Sequence, residues 1–329
     1  MTDWRSLPKV ELHCHLLGII GPPLLQRIQD AGGRVLVDPD LLRQVYPINN
    51  LSKFKQWLEV LKPYQSTTPE IMRPILAAHA AELIRQRVLY TEIMLSRTLF
   101  PPGQQDLLRA FHQWREWTLE LEQGQVQIEY VIVIPRTLDE NALERDVVAF
   151  LELHRAGLIA GVALVGVETG QSLARFSRAF ARWRDAGLGI EIHAGEHTGP
   201  ESVLDALNQC QPRRLGHGLS AFQDPSLLEK ISNANIHLEL CPTSNLCTGA
   251  VSSLSQHPIN RARELGLSYS INTDDPGAFE CSLESEFRLL NESLSFDSAD
   301  FLKVYQNSLA ARFQPKLRYL SGAGATGEL

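Results

Sequence analysis

The sequence predicts an α/β fold, a (β/α)₈ barrel of the TIM type with a helical excursion after the first strand. Eight short β-favouring segments are spread along the 329 residues, and amphipathic helical patterns separate most of them. Strands that alternate with helices indicate parallel βα units, and eight such units are enough to close a barrel. Because barrels of this class reach ~250 residues or more as one unit, residues 1–329 are expected to form a single domain.

The first predicted strand begins after Pro8 and alternates apolar and polar residues up to His15. Residues two apart in a strand point to the same side, so His13 and His15 share a face and form a ready pair of metal ligands. The eight predicted strands are residues 10–15, 89–95, 128–134, 161–167, 188–193, 214–216, 236–240 and 268–272.

The intervals between these strands carry helical periodicity. In residues 172–186, for example, Leu173, Phe176, Phe180 and Trp183 fall on one stripe. The predicted helices are residues 22–31, 69–86, 104–123, 139–156, 172–186 and 202–209.

Residues 18–70 are less regular, because prolines interrupt their helical patterns. We interpret this stretch as a helical insertion near the active-site mouth, since long loops of barrels commonly lie there. At the other end, residues 321–329 are small and polar, and they are predicted to form a flexible tail.

Composition excludes several classes of partner. The chain has 31 basic and 38 acidic residues, a net charge of −7, and no basic stripe interleaved with aromatic residues. Binding to nucleic acid is therefore disfavoured. No apolar run approaches the ~20 residues that span a bilayer, so no membrane partner is expected. Five irregularly spaced cysteines and a start without a signal-peptide pattern favour a reducing, cytoplasmic location.

Polar residues gather where the predicted strands end, which in such a barrel is where chemistry takes place. Five of the eight strands end in or near histidines, carboxylates or an amide; these residues are His13, His15, His193, Glu196, His217, Asn245, Asp274 and Asp275. Three imidazoles and a carboxylate suit a borderline divalent ion such as Zn²⁺, with water completing the coordination. A cation of this kind lowers the pKa of bound water to ~7 and so produces hydroxide at neutral pH.

Several of these segments carry a family resemblance. They are His13-Cys-His15, His193-Ala-Gly-Glu196, Leu215-Gly-His217-Gly, Leu240-Cys-Pro-Thr-Ser-Asn245 and Asn272-Thr-Asp-Asp-Pro276. In this order, from about residue 7 to residue 278, they resemble the adenosine deaminase family, the zinc-dependent deaminase branch of the amidohydrolase superfamily. The resemblance implies a small purine-type substrate and one Zn²⁺ per chain, held by His13, His15, His193 and Asp274. The sequence does not reveal the oligomeric state.

The same resemblance implies the roles of the remaining residues. Glu196 would protonate the ring nitrogen beside the attacked carbon, and His217 would orient and polarise the metal-activated hydroxide. Asp275 would hold the hydroxide and the five-membered ring of the purine. Gly170 would offer its backbone N–H to the other ring nitrogen.

The chemistry of deamination fits these residue types independently. Hydroxide adds to an amino-bearing ring carbon and ammonia leaves, so the ring nitrogen must gain a proton as aromaticity is lost. Glu196 must therefore carry a proton, which requires a raised pKa, whereas Asp275 must stay ionised. The zinc deaminases that combine His-x-Glu with Pro-Cys-x-x-Cys are excluded, because the sequence has no Pro-Cys-x-x-Cys motif.

Two positions depart from the family pattern. Leu17 stands where adenosine deaminases have an acidic residue that contacts the sugar, and Met94 is apolar where a polar residue is expected. Losing a charged acceptor costs ~1.5–3 kcal/mol, so adenosine is expected to be a poor substrate. A 5′-modified nucleoside, an N6-substituted adenine compound or another aminated heterocycle would fit the altered pocket better.

Two other functions compete with a purine deaminase. One is an amidohydrolase that uses the same metal centre on a non-purine amidine or amide. The other is a metal-bearing binding protein with a decayed site, which would lack a ligand or the acid. Among residues outside the motifs, Glu168 is interpreted as a partner of a metal-bound histidine or as an ordinary strand-end acid. Packing or solvent roles are assigned to His79, His112, His154, His237 and His257.

Overall fold

A computed structural model describes residues 3–65, 67–100 and 104–319. The predicted flexible tail, residues 321–329, lies outside the described residues. Within them the chain forms one eight-stranded sheet whose strands are hydrogen-bonded in chain order, every neighbouring pair parallel. The strands are β1 Lys9–His15, β2 Val88–Ser96, β3 Gln127–Pro135, β4 Gly161–Val165, β5 Gly189–Ala194, β6 Arg214–His217, β7 His237–Leu240 and β8 Tyr269–Ile271.

The sheet curls until its last strand meets its first. Beyond the end of β8, the Asp274 backbone N–H donates to the His13 carbonyl (3.1 Å), and the His15 N–H donates to the Asp274 carbonyl (2.8 Å). The Asn272 side chain accepts a hydrogen bond from the Leu12 N–H at 2.9 Å. The predicted (β/α)₈ barrel is therefore confirmed.

Helices connect successive strands and cover the outside of the barrel. They are α1 Pro22–Asp30, α2 Pro39–Arg43, α3 Leu51–Val60, α4 Lys62–Gln65, α5 Pro69–Arg85, α6 Gln104–Glu122, α7 Glu140–Arg155, α8 Ser177–Asp185, α9 Pro200–Cys210, α10 Pro225–Asn233, α11 Pro242–Cys247, α12 Ile259–Glu264, α13 Leu283–Leu294 and α14 Ser298–Ala311. The predicted helix 172–186 divides into a 3₁₀ turn, Leu173–Phe176, followed by α8.

The segment between β1 and α5 consists of short helices that pack near the carboxyl end of β8. The Tyr46 hydroxyl donates to the Gly277 carbonyl at 2.5 Å, and the Phe54 ring stacks on Phe279 with centroids 5.3 Å apart. Asn50 caps α3 by accepting the Lys53 N–H. These contacts hold the α1–α4 segment beside the loop that follows β8.

The outer layer is apolar, whereas the inside of the barrel also contains buried charged side chains. Large aromatic side chains of the helices, such as Trp114, Trp183 and Phe150, are buried between helices and strands. Inside the barrel, Arg214 of β6 contacts Glu92 of β2 and Glu239 of β7, and all three side chains are fully buried. None of the helices in the described ranges is long and apolar enough to cross a membrane.

Candidate active site

Three histidines and one aspartate meet at the carboxyl end of the barrel. His15 Nε2 lies 3.3 Å from His193 Nε2 and 3.4 Å from Asp274 Oδ1. His13 Nε2 lies 3.3 Å from the same Asp274 oxygen. The structure therefore brings the four predicted metal ligands together, and it directs the Nε2 atom of each imidazole toward one point.

Buried carboxylates contact the opposite nitrogen of two of these rings. Glu239 Oε2 lies 2.7 Å from His13 Nδ1, and Glu191 Oε1 lies 2.9 Å from His193 Nδ1. Such carboxylates accept the Nδ1 proton of a metal-bound imidazole and fix the ring orientation, which leaves the Nε2 lone pair for a cation. Burial and the charge of Glu239 raise the pKa of Glu191, and a cation bound to His193 would favour its ionised form.

The protonation of the histidines also suits metal binding. Burial lowers the pKa of His15 to about 3, and burial together with the charge of His13 lowers the pKa of His193 to about 3. Both rings are therefore neutral near neutral pH, the form that ligates a metal. For His13, burial lowers the pKa, but the neighbouring carboxylates of Asp274 and Glu239 outweigh it and raise the pKa. A cation that replaced the proton between His13 and Asp274 would satisfy the same two groups.

Asp274 is held in an unusual backbone conformation. Its φ is +63°, in the left-handed region that non-glycine residues seldom occupy. The Ser244 hydroxyl donates to Asp274 Oδ2 at 2.7 Å, so the other oxygen, Oδ1, remains directed at the histidines. Interactions on both sides of the residue thus fix the carboxylate orientation.

Glu196 and His217 lie beside the four ligands. Glu196 Oε2 is 3.7 Å from His217 Nε2, and Glu196 Oε1 is 3.4 Å from Nε2 of the exposed His197. Burial raises the pKa of Glu196 to about 8, and the charges of Asp274 and Glu168 add to the effect. The Glu196 carboxyl is therefore protonated at neutral pH, as a proton donor must be.

Glu168 holds the turn that carries Glu196. It accepts the backbone N–H groups of Gly195 (2.8 Å), Glu196 (2.9 Å) and His197 (3.2 Å). The hydroxyl groups of Thr198 and Ser202 donate to it as well. Neither interpretation from the sequence is adequate, because Glu168 contacts no metal-ligand side chain and yet is the acceptor around which this turn is built.

Asp275 is buried next to the ligand cluster, and Gly18 packs against it. A Cβ at Gly18 would lie 2.2 Å from Asp275 Oδ1, so only glycine fits there. The neighbouring Leu17 is half-buried on a 3₁₀ turn directly after β1. Burial and the charge of Asp274 raise the pKa of Asp275 well above its ordinary value. The ionised Asp275 expected from the sequence therefore needs a cation that neutralises Asp274.

Two positions singled out in the sequence, Gly170 and Met94, lie outside the cluster of proposed metal ligands. Gly170 is exposed, with φ +72°, and lines a neighbouring cavity of about 220 Å³ together with Arg136 and Glu168. Met94 is 2% exposed and packs in a small apolar cluster that includes Val131. Met94 is thus part of the barrel packing, and Gly170 lies at the rim.

The arrangement fits a divalent cation. Three imidazole nitrogens and one carboxylate oxygen, the donor set typical of zinc, face a common point. His13 Nε2 makes no hydrogen bond to any described residue although it is completely buried. A buried nitrogen without a hydrogen bond is costly unless another ligand satisfies it, and a cation would do so.

Sequence comparison assigns the chain to a family. The profile of the family described as Adenosine deaminase matches residues 8–319. The chain belongs to the adenosine deaminase family. Among relatives of this deaminase, an aminodeoxyfutalosine deaminase from Streptomyces avermitilis is 33% identical over 94% of this chain and 87% of its own. An adenine deaminase from Sinorhizobium medicae is 30% identical over 93% and 94% of the two chains.

Solved structures share the fold of this deaminase. The adenine deaminase from Arthrobacter aurescens superimposes with a TM-score of 0.76 at 23% identity, over 94% of each chain. An amidohydrolase from Burkhoderia ambifaria, described with bound Zn, gives a TM-score of 0.74 at 21% identity over 94% and 87%. The predicted family and enzyme class are thus confirmed: the chain is a hydrolase of the adenosine deaminase type, and its family indicates a metal cofactor.

Proposed function

We propose that this enzyme hydrolytically deaminates a 6-aminopurine compound and releases ammonia, using one zinc ion held by His13, His15, His193 and Asp274. The observation that carries the proposal is the convergence of these four ligands beside Glu196, whose burial favours the protonated carboxyl. When bound, a divalent cation acidifies water and so supplies a nucleophile at neutral pH.

The side chains around the proposed metal site would donate the proton, orient the nucleophile and bind the purine. Glu196 holds a proton at neutral pH and would donate it to the ring nitrogen beside the attacked carbon. His217 would orient the nucleophile from the neighbouring strand end. Asp275, buried against Gly18, would anchor the five-membered ring, and the Gly170 N–H would contact the second ring nitrogen.

Leu17 and the names of the relatives narrow the range of candidate substrates. Leu17 is half-buried and has no polar atom to bind a sugar hydroxyl. The two relatives described above are named for adenine and for aminodeoxyfutalosine. We therefore propose that adenine or a modified adenine nucleoside is preferred to adenosine. The five cysteines, all free, support the further proposal of a cytoplasmic enzyme.

A substrate panel on zinc-loaded protein tests this proposal. Ammonia release is measured with adenine, adenosine, aminodeoxyfutalosine, N6-methyladenine and a non-purine amide. Turnover of an aminopurine is expected, and turnover of the amide alone would replace the proposal with a different amidohydrolase reaction.

Glu196→Gln tests the assignment of the proton donor. The amide keeps the size of the side chain but has no acidic proton, so kcat should fall by about 10²–10⁴-fold while bound zinc per chain stays the same. Zinc is quantified by atomic absorption on the samples used for kinetics. Unchanged kcat would show that the proton comes from another group.

A further inference from the structure

Three buried polar side chains form a chain of hydrogen bonds that leads away from the active site. His217 Nδ1 lies 3.2 Å from Asn245 Nδ2, and Asn245 Oδ1 lies 3.2 Å from His257 Nε2. The exposed fractions of the three side chains are 1%, 0% and 2%. The sequence assigned His257 a packing or solvent role, whereas in the structure it contacts Asn245, the partner of His217.

The direction of these hydrogen bonds is set by the backbone. The Ile259 N–H donates to His257 Nδ1 at 3.1 Å, so Nδ1 is an acceptor and cannot carry a proton. The ring proton of His257 must then be on Nε2, where it is donated to Asn245. Burial lowers the pKa of His257 to about 3, so the ring carries this single proton.

The orientation of the Asn245 amide determines which nitrogen of His217 accepts a hydrogen bond. Because Oδ1 accepts from His257, the NH₂ group of Asn245 must face His217 and donate to its Nδ1. His217 Nδ1 is then an acceptor, and the proton of the neutral ring is on Nε2. That nitrogen faces Glu196 at 3.7 Å, on the side of the metal ligands.

Asn245, the middle residue of the three, is fixed by backbone hydrogen bonds and by burial. Asn245 lies in α11, where its backbone N–H donates to the Cys241 carbonyl (2.9 Å) and its carbonyl accepts the Val251 N–H (3.0 Å). Since its side chain is also completely buried, the amide has no solvent to which it could turn. Its two ends are therefore committed to two different histidines.

We propose that Asn245 and His257 are positioning residues that hold His217 as the Nε2–H tautomer, so that His217 offers the pocket a hydrogen-bond donor. This inference rests on the proposed function only in treating His217 as part of the catalytic site. In this tautomer His217 donates to an oxygen of the nucleophile or substrate and does not take a proton from it at Nε2. Ile259 lies at the far end of this series of hydrogen bonds. It sets the tautomer because its backbone N–H donates to His257 Nδ1.

The tautomer can be observed without any substrate. In a long-range ¹H–¹⁵N correlation spectrum of ¹⁵N-histidine-labelled, zinc-loaded protein, protonated and unprotonated ring nitrogens have distinct shifts. The His217 signals are identified by their loss in His217→Asn. We expect an unprotonated Nδ1 and a protonated Nε2; a proton on Nδ1 in the wild-type protein would overturn the proposal.

Asn245→Asp then tests the effect on catalysis. The carboxylate can still accept from His257 but can no longer donate to His217, so the His217 proton should move to Nδ1. The expected result is a fall in kcat of about ten- to a hundredfold, with KM changed by less than about threefold and zinc content unchanged. An unchanged His217 spectrum and kcat would refute the role of Asn245.

Variants of His257 separate positioning from simple burial. His257→Gln retains an N–H donor for Asn245 and should keep most of the activity, whereas His257→Leu should reproduce the loss seen in Asn245→Asp. His237→Leu is a matched control, because His237 is also buried but bonds to Ser268 instead. Equal losses in His257→Gln and His257→Leu, or a comparable loss in His237→Leu, would point to packing and contradict the proposal.

The design separates this proposal from the proposed function. If no aminopurine is deaminated, the function is wrong, and the spectrum of the wild-type protein still decides the tautomer. If the aminopurines are turned over but the spectrum shows a proton on His217 Nδ1, only the positioning role fails.

Discussion

Both ring nitrogens of His193 have close polar neighbours. Its Nε2 faces the other ligands, and its Nδ1 lies 2.9 Å from a carboxylate oxygen of Glu191, a fully buried residue of the same strand. An oriented and polarised imidazole binds metal more tightly than a free one. We therefore expect Glu191 to support the proposed metal site through His193, although its own side chain is not among the proposed ligands.

Replacing Glu191 with Gln should weaken zinc binding by about 10–100-fold, because the charge that supports His193 is lost. Competition with a chromophoric chelator measures the change. Glu122→Gln is the matched control, since Glu122 is equally buried and accepts the Ile128 N–H at the amino end of β3. Equal weakening in the two variants would mean that Glu191 has no specific role.

Leu17 is the residue at which substrate preference is expected to change. Leu17→Asp introduces an acceptor for a sugar hydroxyl, so kcat/KM for adenosine should rise by about tenfold or more. Adenine, which has no sugar, serves as the control within the same experiment and should gain nothing. A similar gain for both compounds would show that the carboxylate acts on the purine or on the metal centre.

At the scale of elements, the turn after β5 depends on a residue from the loop after β4. Burial alone would raise the pKa of Glu168, but hydrogen bonds from Ser202, Thr198 and backbone N–H groups of the turn lower it to about 2. A carboxyl group whose pKa is lowered by folding stabilises the folded state above its ordinary pKa of 4.5, and it loses that contribution as the pH falls toward 2.

Glu168→Gln should therefore reduce both stability and kcat at neutral pH, since an amide cannot accept all of these hydrogen bonds and Glu196 loses its fixed position. Thermal unfolding of the two proteins is compared across pH. The difference in melting temperature should shrink as the pH falls from 4.5 toward 2, where wild-type Glu168 becomes protonated. A constant difference would assign the effect to packing.

Regular elements could be predicted from the sequence because their signals are local. The alternation in β1 and the apolar stripe of Leu173, Phe176, Phe180 and Trp183 depend only on neighbouring residues. Strand β4 ends at Val165, two residues before its predicted end, because Gly166 turns the chain with φ +101°. Glu191 could also have been found, since it is two residues before His193 and so shares its face.

Contacts between segments that are far apart in the chain leave no such local signal in the sequence. Glu168 reaches a turn 27 residues away, and Asn245 and His257 approach His217 only after the segments that follow β6 and β7 have folded together. Nothing in the local pattern of Glu168 and His257 distinguishes them from ordinary loop residues, and Asn245 stands out only as part of the motif after β7. Their roles depend on the geometry at the mouth of the barrel, which the sequence does not display.

At the scale of the whole molecule, the proposed metal ligands join three remote parts of the chain. His13 and His15 end β1, His193 ends β5, and Asp274 follows β8 at the place where the barrel closes. A cation bound there would link the first and last strands to the opposite wall. The site is therefore expected to contribute to the stability of the barrel as well as to catalysis.

Removal of zinc with a chelator should lower the melting temperature, by an amount that grows with the concentration of free metal in the reference sample. Differential scanning calorimetry of the metal-free and zinc-loaded protein measures this shift. His15→Asn, which removes one ligand, should shrink it. A shift that persists in full in that variant would place the stabilising ion elsewhere.

The positive φ angles of His217 and Asp274, both +63°, affect how this site should be probed by mutagenesis. Alanine at either position would lose the functional group and would also tolerate this backbone geometry less well than the wild-type residue, because His and Asp occupy it more readily than most side chains do. Asparagine tolerates that geometry better than alanine does. Alanine scanning would thus exaggerate the importance of these two residues, whereas asparagine replacements would report the side-chain contribution more faithfully.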